Sequence, residues 1–137
     1  MNQLRGCITA IESNGFVSLV DVAVGADRFA AILLESPASA PYLAIGRDVR
    51  VLFKETEVSL AKNLSGQLSL RNRLNGKVRH IRRGAILSEV ELDYQGESVT
   101  SIITTRAVDR LDLLEGDEVE ALIKANEVSL MGADDAL

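Results

Sequence analysis

The side chains of this 137-residue chain that could act on a ligand are few and of one kind. LSLRNRLNG places Ser69, Arg71 and Asn72 together, SIITTRAV adds Thr104 and Thr105, and LIKANEV adds Lys124. They are hydrogen-bond donors without matching acceptors. A ligand that wants only donors is an oxyanion, whose oxygens each accept hydrogen bonds and whose charge is met by Arg or Lys. The same residues also read as strand ends and solvated charges, and spacing alone leaves both readings open. Catalysis has less to work with. His80 is the one imidazole and, flanked by Arg79 and Arg82, reads as a solvated strand residue; Cys7 is the one thiol and reads as a small packing side chain. Neither a disulfide nor a soft-ligand metal site can be built from that inventory. Nucleophile-elbow, phosphate-loop and zinc-helix motifs do not occur, and the carboxylates scatter along strand faces. A non-enzymatic protein without an organic cofactor is expected.

The elements that must position these donors come in two copies. Slid along itself by 70 positions, the chain matches without a gap: Asn2, Leu4 and Gly6 fall on Asn72, Leu74 and Gly76, and Lys54, Glu57, Val58, Ser59 and Leu60 fall on Lys124, Glu127, Val128, Ser129 and Leu130. Within each copy the pattern is that of strands. Ile86, Ser88, Val90 and Leu92 share one side of a segment whose other side carries Glu89, Glu91 and Asp93. RAVDRLDL has the spacing of one or two helical turns ahead of the fourth strand. The expected fold is all-β: two tandem OB-like five-stranded barrels, each with a short helix, over residues 1–64 and 68–137 and joined through NLSGQ. Units of this size bury only about 60% of their unfolded surface, so oligomerisation is expected.

Composition bounds the function class. The chain is 47% apolar and 26% charged, with a net charge of -5, which is ordinary globular usage. No apolar run approaches the roughly 18–20 residues that span a bilayer, and the start is not of signal-peptide type, so a soluble, cytoplasmic protein without membrane contact is expected. Net acidity and 4% aromatic content speak against a nucleic-acid-binding OB module, although KVRHIRR suggests one.

SLRNRLNGKV, followed by Gly84-Ala85, Ile103-Thr104 and Leu122 to Ala125 of LIKA, resembles the Mop (molbindin) domain of the wider TOBE group over almost the whole second half. The first half is a weaker relative. It keeps Asn2, Leu4, Gly6 and Lys54, but no Ser-x-Arg precedes Asn2 and Leu34 stands where Thr104 does. The resemblance implies OB-like domains, cytoplasmic binding of molybdate or tungstate by hydrogen bonds rather than metal ligation, and sites shared between domains of an oligomer. Ser69, Arg71, Asn72, Thr104, Thr105, Lys124 and Lys54 are then the oxyanion-binding set, and a homotrimer is expected ahead of a dimer. If Met1 is the natural start, molybdenum storage, buffering or homeostasis follows. The alternative is an oxyanion-sensing module excised from a molybdate transporter ATPase or a molybdate-responsive repressor. A positive field is expected from Arg71, Arg73, Lys77, Arg79, Arg82 and Arg83.

Overall fold

The computed structural model describes residues 1–133; the last four residues of the second expected domain lie outside the described residues. Each repeat opens with a long strand that serves two neighbours. In the first repeat, β1 (Asn2–Asn14) pairs through its first half with β4 (Asp48–Phe53) and through its second half with β2 (Val17–Val24), which continues into β3 (Asp27–Leu33). In the second, β6 (Asn72–Arg83) pairs likewise with β9 (Glu118–Ile123) and β7 (Leu87–Tyr94), and β7 with β8 (Glu97–Thr104). The long strands change partner at a register shift, between Ile8 and Ala10 in β1 and between Val78 and His80 in β6. Such irregularities let one strand curl round a barrel. Gly6 sits at the crossing, where an added Cβ would come within 2.5 Å of Val22 Cγ1 and 2.8 Å of the Ala23 carbonyl, so only glycine allows this approach.

The alternation read from the sequence is realised as burial. Ser18, Val20, Val22 and Val24 of β2 face inward, as do Ser88, Val90, Leu92 and Tyr94 of β7, whereas Ile86, which the same alternation set on the buried side, precedes β7 at the hairpin tip and is 77% exposed. The apolar members of these two inward faces join Leu4, Ile8, Phe29, Val49 and Phe53 of one repeat and Leu74, Val78, Val99, Val119 and Ile123 of the other in one hydrophobic cluster.

The two five-stranded sheets are not each made from one repeat. β5 (Ser59–Ala61), reached through a single 3-10 turn (Glu55–Glu57), leaves the first repeat and pairs with β9 of the second; β10 (Ser129–Gly132), after the turn Ala125–Glu127, returns to pair with β4. The strand orders are β10-β4-β1-β2-β3 and β5-β9-β6-β7-β8. A cut between residues 64 and 68 separates the sequence repeats, but in space each sheet takes an edge strand from the far side of that cut. Lys62, just past β5, fastens the exchange: its ammonium donates to the Leu111 and Asp112 carbonyls at 3.2 and 2.9 Å and pairs with Asp117 at 3.0 Å.

The second repeat carries the expected helix, α1 (Thr105–Arg110), started by the Thr104 side chain, which accepts from the Ala107 N–H at 3.1 Å. The first repeat departs from expectation here. Leu34 offers no cap where Thr104 does, Pro37 and Pro41 follow, and residues 36–44 form turns, closed by Ser39 N–H and Ala40 N–H on the Ser36 carbonyl.

Candidate functional site

The expected donors divide into groups with different fates. Asn72 is buried. Its Nδ2 donates to the Ala30 carbonyl at 2.9 Å while its Oδ1 accepts from the Ala30 N–H at 2.7 Å, so one side-chain amide completes the hydrogen bonding of edge strand β3 as a neighbouring strand would. Asn2 does the same to Thr100 of β8, at 2.8 Å in both directions. The offset of 70 relates both pairs, giving the molecule a pseudo-twofold axis with an asparagine brace on each side. Asn72 therefore holds the repeats together, with its amide oxygen and an amide N–H both engaged by Ala30.

Ser69 and Arg71 precede β6 on an exposed segment, and neither makes a hydrogen bond or ion pair with the described residues. Because Asn72 is paired with Ile123, the next residues outward on that ladder, Arg71 and Lys124, flank each other. Lys124 is exposed and extended (φ -68°, ψ 145°), and the 3-10 turn that it opens packs on β3, the strand held by Asn72. Arg71 and Lys124 thus share one end of the β6–β9 ladder beside β3, two cations without partners among the described residues, and Ser69 lies two residues before Arg71 in the chain.

Thr104 and Thr105 lie elsewhere. Thr104 is paired with Leu87, past the far end of β6 from Arg71, so the two groups are separated by that twelve-residue strand, about 35 Å of extended chain. Thr105 Oγ1 donates to the Gly84 carbonyl at 2.8 Å and lies 2.7 Å from Ser88 Oγ, closing the β6–β7 hairpin tip. Thr104, which caps α1 as an acceptor, keeps its O–H proton for an outside acceptor.

Lys54 occupies the pseudo-twofold counterpart of Lys124 in acidic surroundings. It lines a cleft of about 210 Å³ with Met1, Glu57, Asn126, Glu127 and Ser129, and the adjoining Glu55 holds the Met1 ammonium at 2.6 Å. Hydrogen bonding from that ammonium keeps the Glu55 carboxyl below its ordinary range.

The expected positive field is mostly cancelled. Arg73 forks onto Glu120 at 2.8 and 2.9 Å, Arg79 pairs with Glu91 and Asp93 at 3.4 Å each, Arg82 with Glu89 at 3.7 Å and Arg83 with Asp109 at 2.9 Å. The Arg73 hydrogen bonds lower the Glu120 carboxyl from its ordinary value. KVRHIRR is a ladder of cross-strand ion pairs, and a run neutralised in this way does not make a phosphate-tracking stripe. Sequence reasoning missed the braces and Lys62. The identity of Asn2 and Asn72 across the repeats was the available signal for the braces, and Lys62, which falls on Gly132, carried none.

Two OB-like units with exchanged strands and an outward-facing donor group define a tandem binding fold, and comparison with known proteins says which. The TOBE domain model matches residues 68–130. Over 65 residues the chain is 40% identical to molybdenum-pterin-binding protein 1 of Clostridium pasteurianum, covering 96% of that protein and 47% of this chain. Over 130 residues, 93% of the chain, it is 34% identical to the molybdenum transport protein ModE of Herbaspirillum seropedicae, of which it spans 48%, about half the length. A crystal structure of the cytoplasmic molybdate-binding protein ModG with molybdate bound superposes with a TM-score of 0.88 at 38% identity, covering 94% of each chain. The chain belongs to the Mop family of TOBE-domain proteins.

Proposed function

We propose that this protein binds molybdate, or the equally shaped tungstate, reversibly and without chemistry, as a cytoplasmic buffer or carrier of the oxyanion. The observation that carries the reading is that Arg71 and Lys124, which have no partners among the described residues, meet at one end of the β6–β9 ladder, with Ser69 two residues before Arg71. A tetrahedral dianion needs only donors around its oxygens, and these supply a hydroxyl, a guanidinium and an ammonium. The relatives support the choice of ligand, being named for molybdenum or molybdate. The site is redox-silent, since the protein meets oxygen atoms and not the metal.

Thr104 lies a strand's length from Arg71, so a site that uses both takes them from different chains, and a homo-oligomer follows, a trimer ahead of a dimer. The chain's match to half of ModE favours one further role for the same binding: effector module of a longer regulator. Calorimetric titration with molybdate, tungstate, sulfate and phosphate tests the proposal. Heat from the first two alone supports it; heat from none, or equal heat from sulfate, removes it.

A further inference from the structure

The pseudo-twofold axis makes the two hairpin tips comparable residue by residue, and beyond the helix that only the second carries they differ in charge. Residues 12–19 and 34–40 form the first tip and its neighbouring strand end; residues 82–89 and 104–110 are their counterparts at the offset of 70. Both expose large apolar side chains. Phe16 is 86% and Leu34 81% exposed at the first tip, and Ile86 is 77% exposed at the second, beside the exposed Leu87. Isolated exposed apolar residues are ordinary, but two related clusters of them on one small protein are the pattern of a covered surface. The charges are opposite. The first tip carries Glu12 and Glu35 and no basic residue; the second carries Arg82, Arg83, Arg106 and Arg110 against Glu89 and Asp109. Arg82 and Arg83 are held by those two carboxylates, so the surplus lies on Arg106 and Arg110, which are exposed on α1 and make no ion pair or hydrogen bond with the described residues.

We propose that these tips are the two halves of a heterologous interface between copies of this chain, the acidic tip around Phe16 and Leu34 of one copy seating on the basic tip around Ile86 and Leu87 of the next. A symmetric contact of like tips would set Glu12 against Glu12, or Arg106 and Arg110 against themselves, whereas a head-to-tail contact buries apolar surface on both sides and pairs unlike charges. Head-to-tail contacts close into rings when the rotation permits. The contact would also place Thr104 and its free O–H at an intermolecular boundary. The inference rests on the homo-oligomer reading above and specifies the faces that such an oligomer uses.

Charge reversal with complementation tests it, read by sedimentation velocity at about 50 and 500 mM salt. Arg106→Glu/Arg110→Glu makes both tips negative, and Glu12→Lys/Glu35→Lys makes both positive. Each variant alone is expected to assemble at least about 10-fold more weakly than wild type at low salt, with the difference shrinking at high salt. A chain carrying all four reversals is expected to recover wild-type assembly, because its first tip is then positive and its second negative and every contact, in a ring of any size, is again between unlike tips. Glu12→Lys alone, which leaves the Glu35–Tyr42 hydrogen bond untouched, serves if the double variant does not fold. Double variants that assemble like wild type, or a fourfold variant that folds and fails to recover, overturn the interface while leaving the oligomer standing. A monomeric wild type removes both, with molybdate calorimetry on the same sample judging the ligand separately. If Arg106→Glu/Arg110→Glu leaves assembly intact and instead abolishes binding of a labelled single-stranded DNA, the basic tip faces nucleic acid and the proposal falls.

Discussion

Arg71 and Asn72 are adjacent in sequence and opposite in role. Arg71 is exposed and has no partner among the described residues, so its removal should cost the ligand and little else. Arg71→Ala is expected to weaken molybdate binding by about 1.5–3 kcal/mol, roughly 10- to 150-fold in Kd, with the thermal midpoint almost unchanged. Asn72 should behave in the reverse way. Asn72→Ala strips partners from both the N–H and the carbonyl of Ala30, and is expected to destabilise the fold by about 2–4 kcal/mol in denaturant unfolding. Asn72→Asp, whose carboxylate would face the Ala30 carbonyl, is expected to be no better. The sequence located both residues but assigned both to the ligand. A side chain's type says which hydrogen bonds it can make, and the fold decides with whom. Thr105 has the same history: its hydroxyl fits an oxyanion and is committed to the Gly84 carbonyl.

Among the elements, the exchanged strands hold the molecule together and were the least visible beforehand. The alternation along β2 and β7 fixes which face is buried, so those strands could be read from one repeat alone. Ser59–Ala61 and Ser129–Gly132 have the same local pattern whichever sheet they join, because pairing partner is a property of the chain's path and not of the segment. Lys62 should report on the exchange. Lys62→Met removes the ammonium from two carbonyls and from Asp117, and is expected to lower the thermal midpoint and to speed amide hydrogen exchange in β5 and β9 more than in β1 and β2. Acid should act on the same contacts. Asp117 is held below its ordinary 3.8 by the Leu114 N–H and then by Lys62, and Glu120 below its ordinary 4.5 by Arg73. A depressed folded-state value contributes stability that is present above the unfolded value and lost as pH falls through the folded one. Thermal midpoints should therefore stay level from neutral pH down to about 5 and fall below about 4, shallowly, since these half-buried surface pairs remain in touch with solvent.

At the scale of the whole molecule, the offset of 70 residues carried most of what could be known in advance: two copies of one unit, one of them keeping the full donor set. Its structural expression is a pseudo-twofold axis with paired asparagine braces and exchanged strands, in which Lys54 and Lys124 are positional equivalents in unlike surroundings. Each is followed three residues on by a glutamate, Glu57 or Glu127, but Lys54 adjoins Glu55 where Lys124 adjoins Ala125, and Lys124 stands beside Arg71. Lys124→Ala is accordingly expected to reduce molybdate affinity by at least about 10-fold and Lys54→Ala by much less, as judged by calorimetry on both variants. The neutralised basic run is the counterexample at this scale. Its arginines were legible, and so were the carboxylates of β7, but only the register that sets Arg82 across from Glu89 shows that the charges cancel.

In the proposed function a tetrahedral oxyanion is held at the outer end of the β6–β9 ladder by donors of the second repeat. Crystals grown with tungstate and measured at the tungsten absorption edge test it most directly, since the anomalous signal marks the metal without reference to a model of the protein. A tungsten peak is expected beside Arg71 and Lys124, with the oxygens of the anion within about 3 Å of their donors. A strong peak confined to the acidic cleft of Lys54, or to the hairpin tip of Thr105, with none beside Arg71, would contradict it.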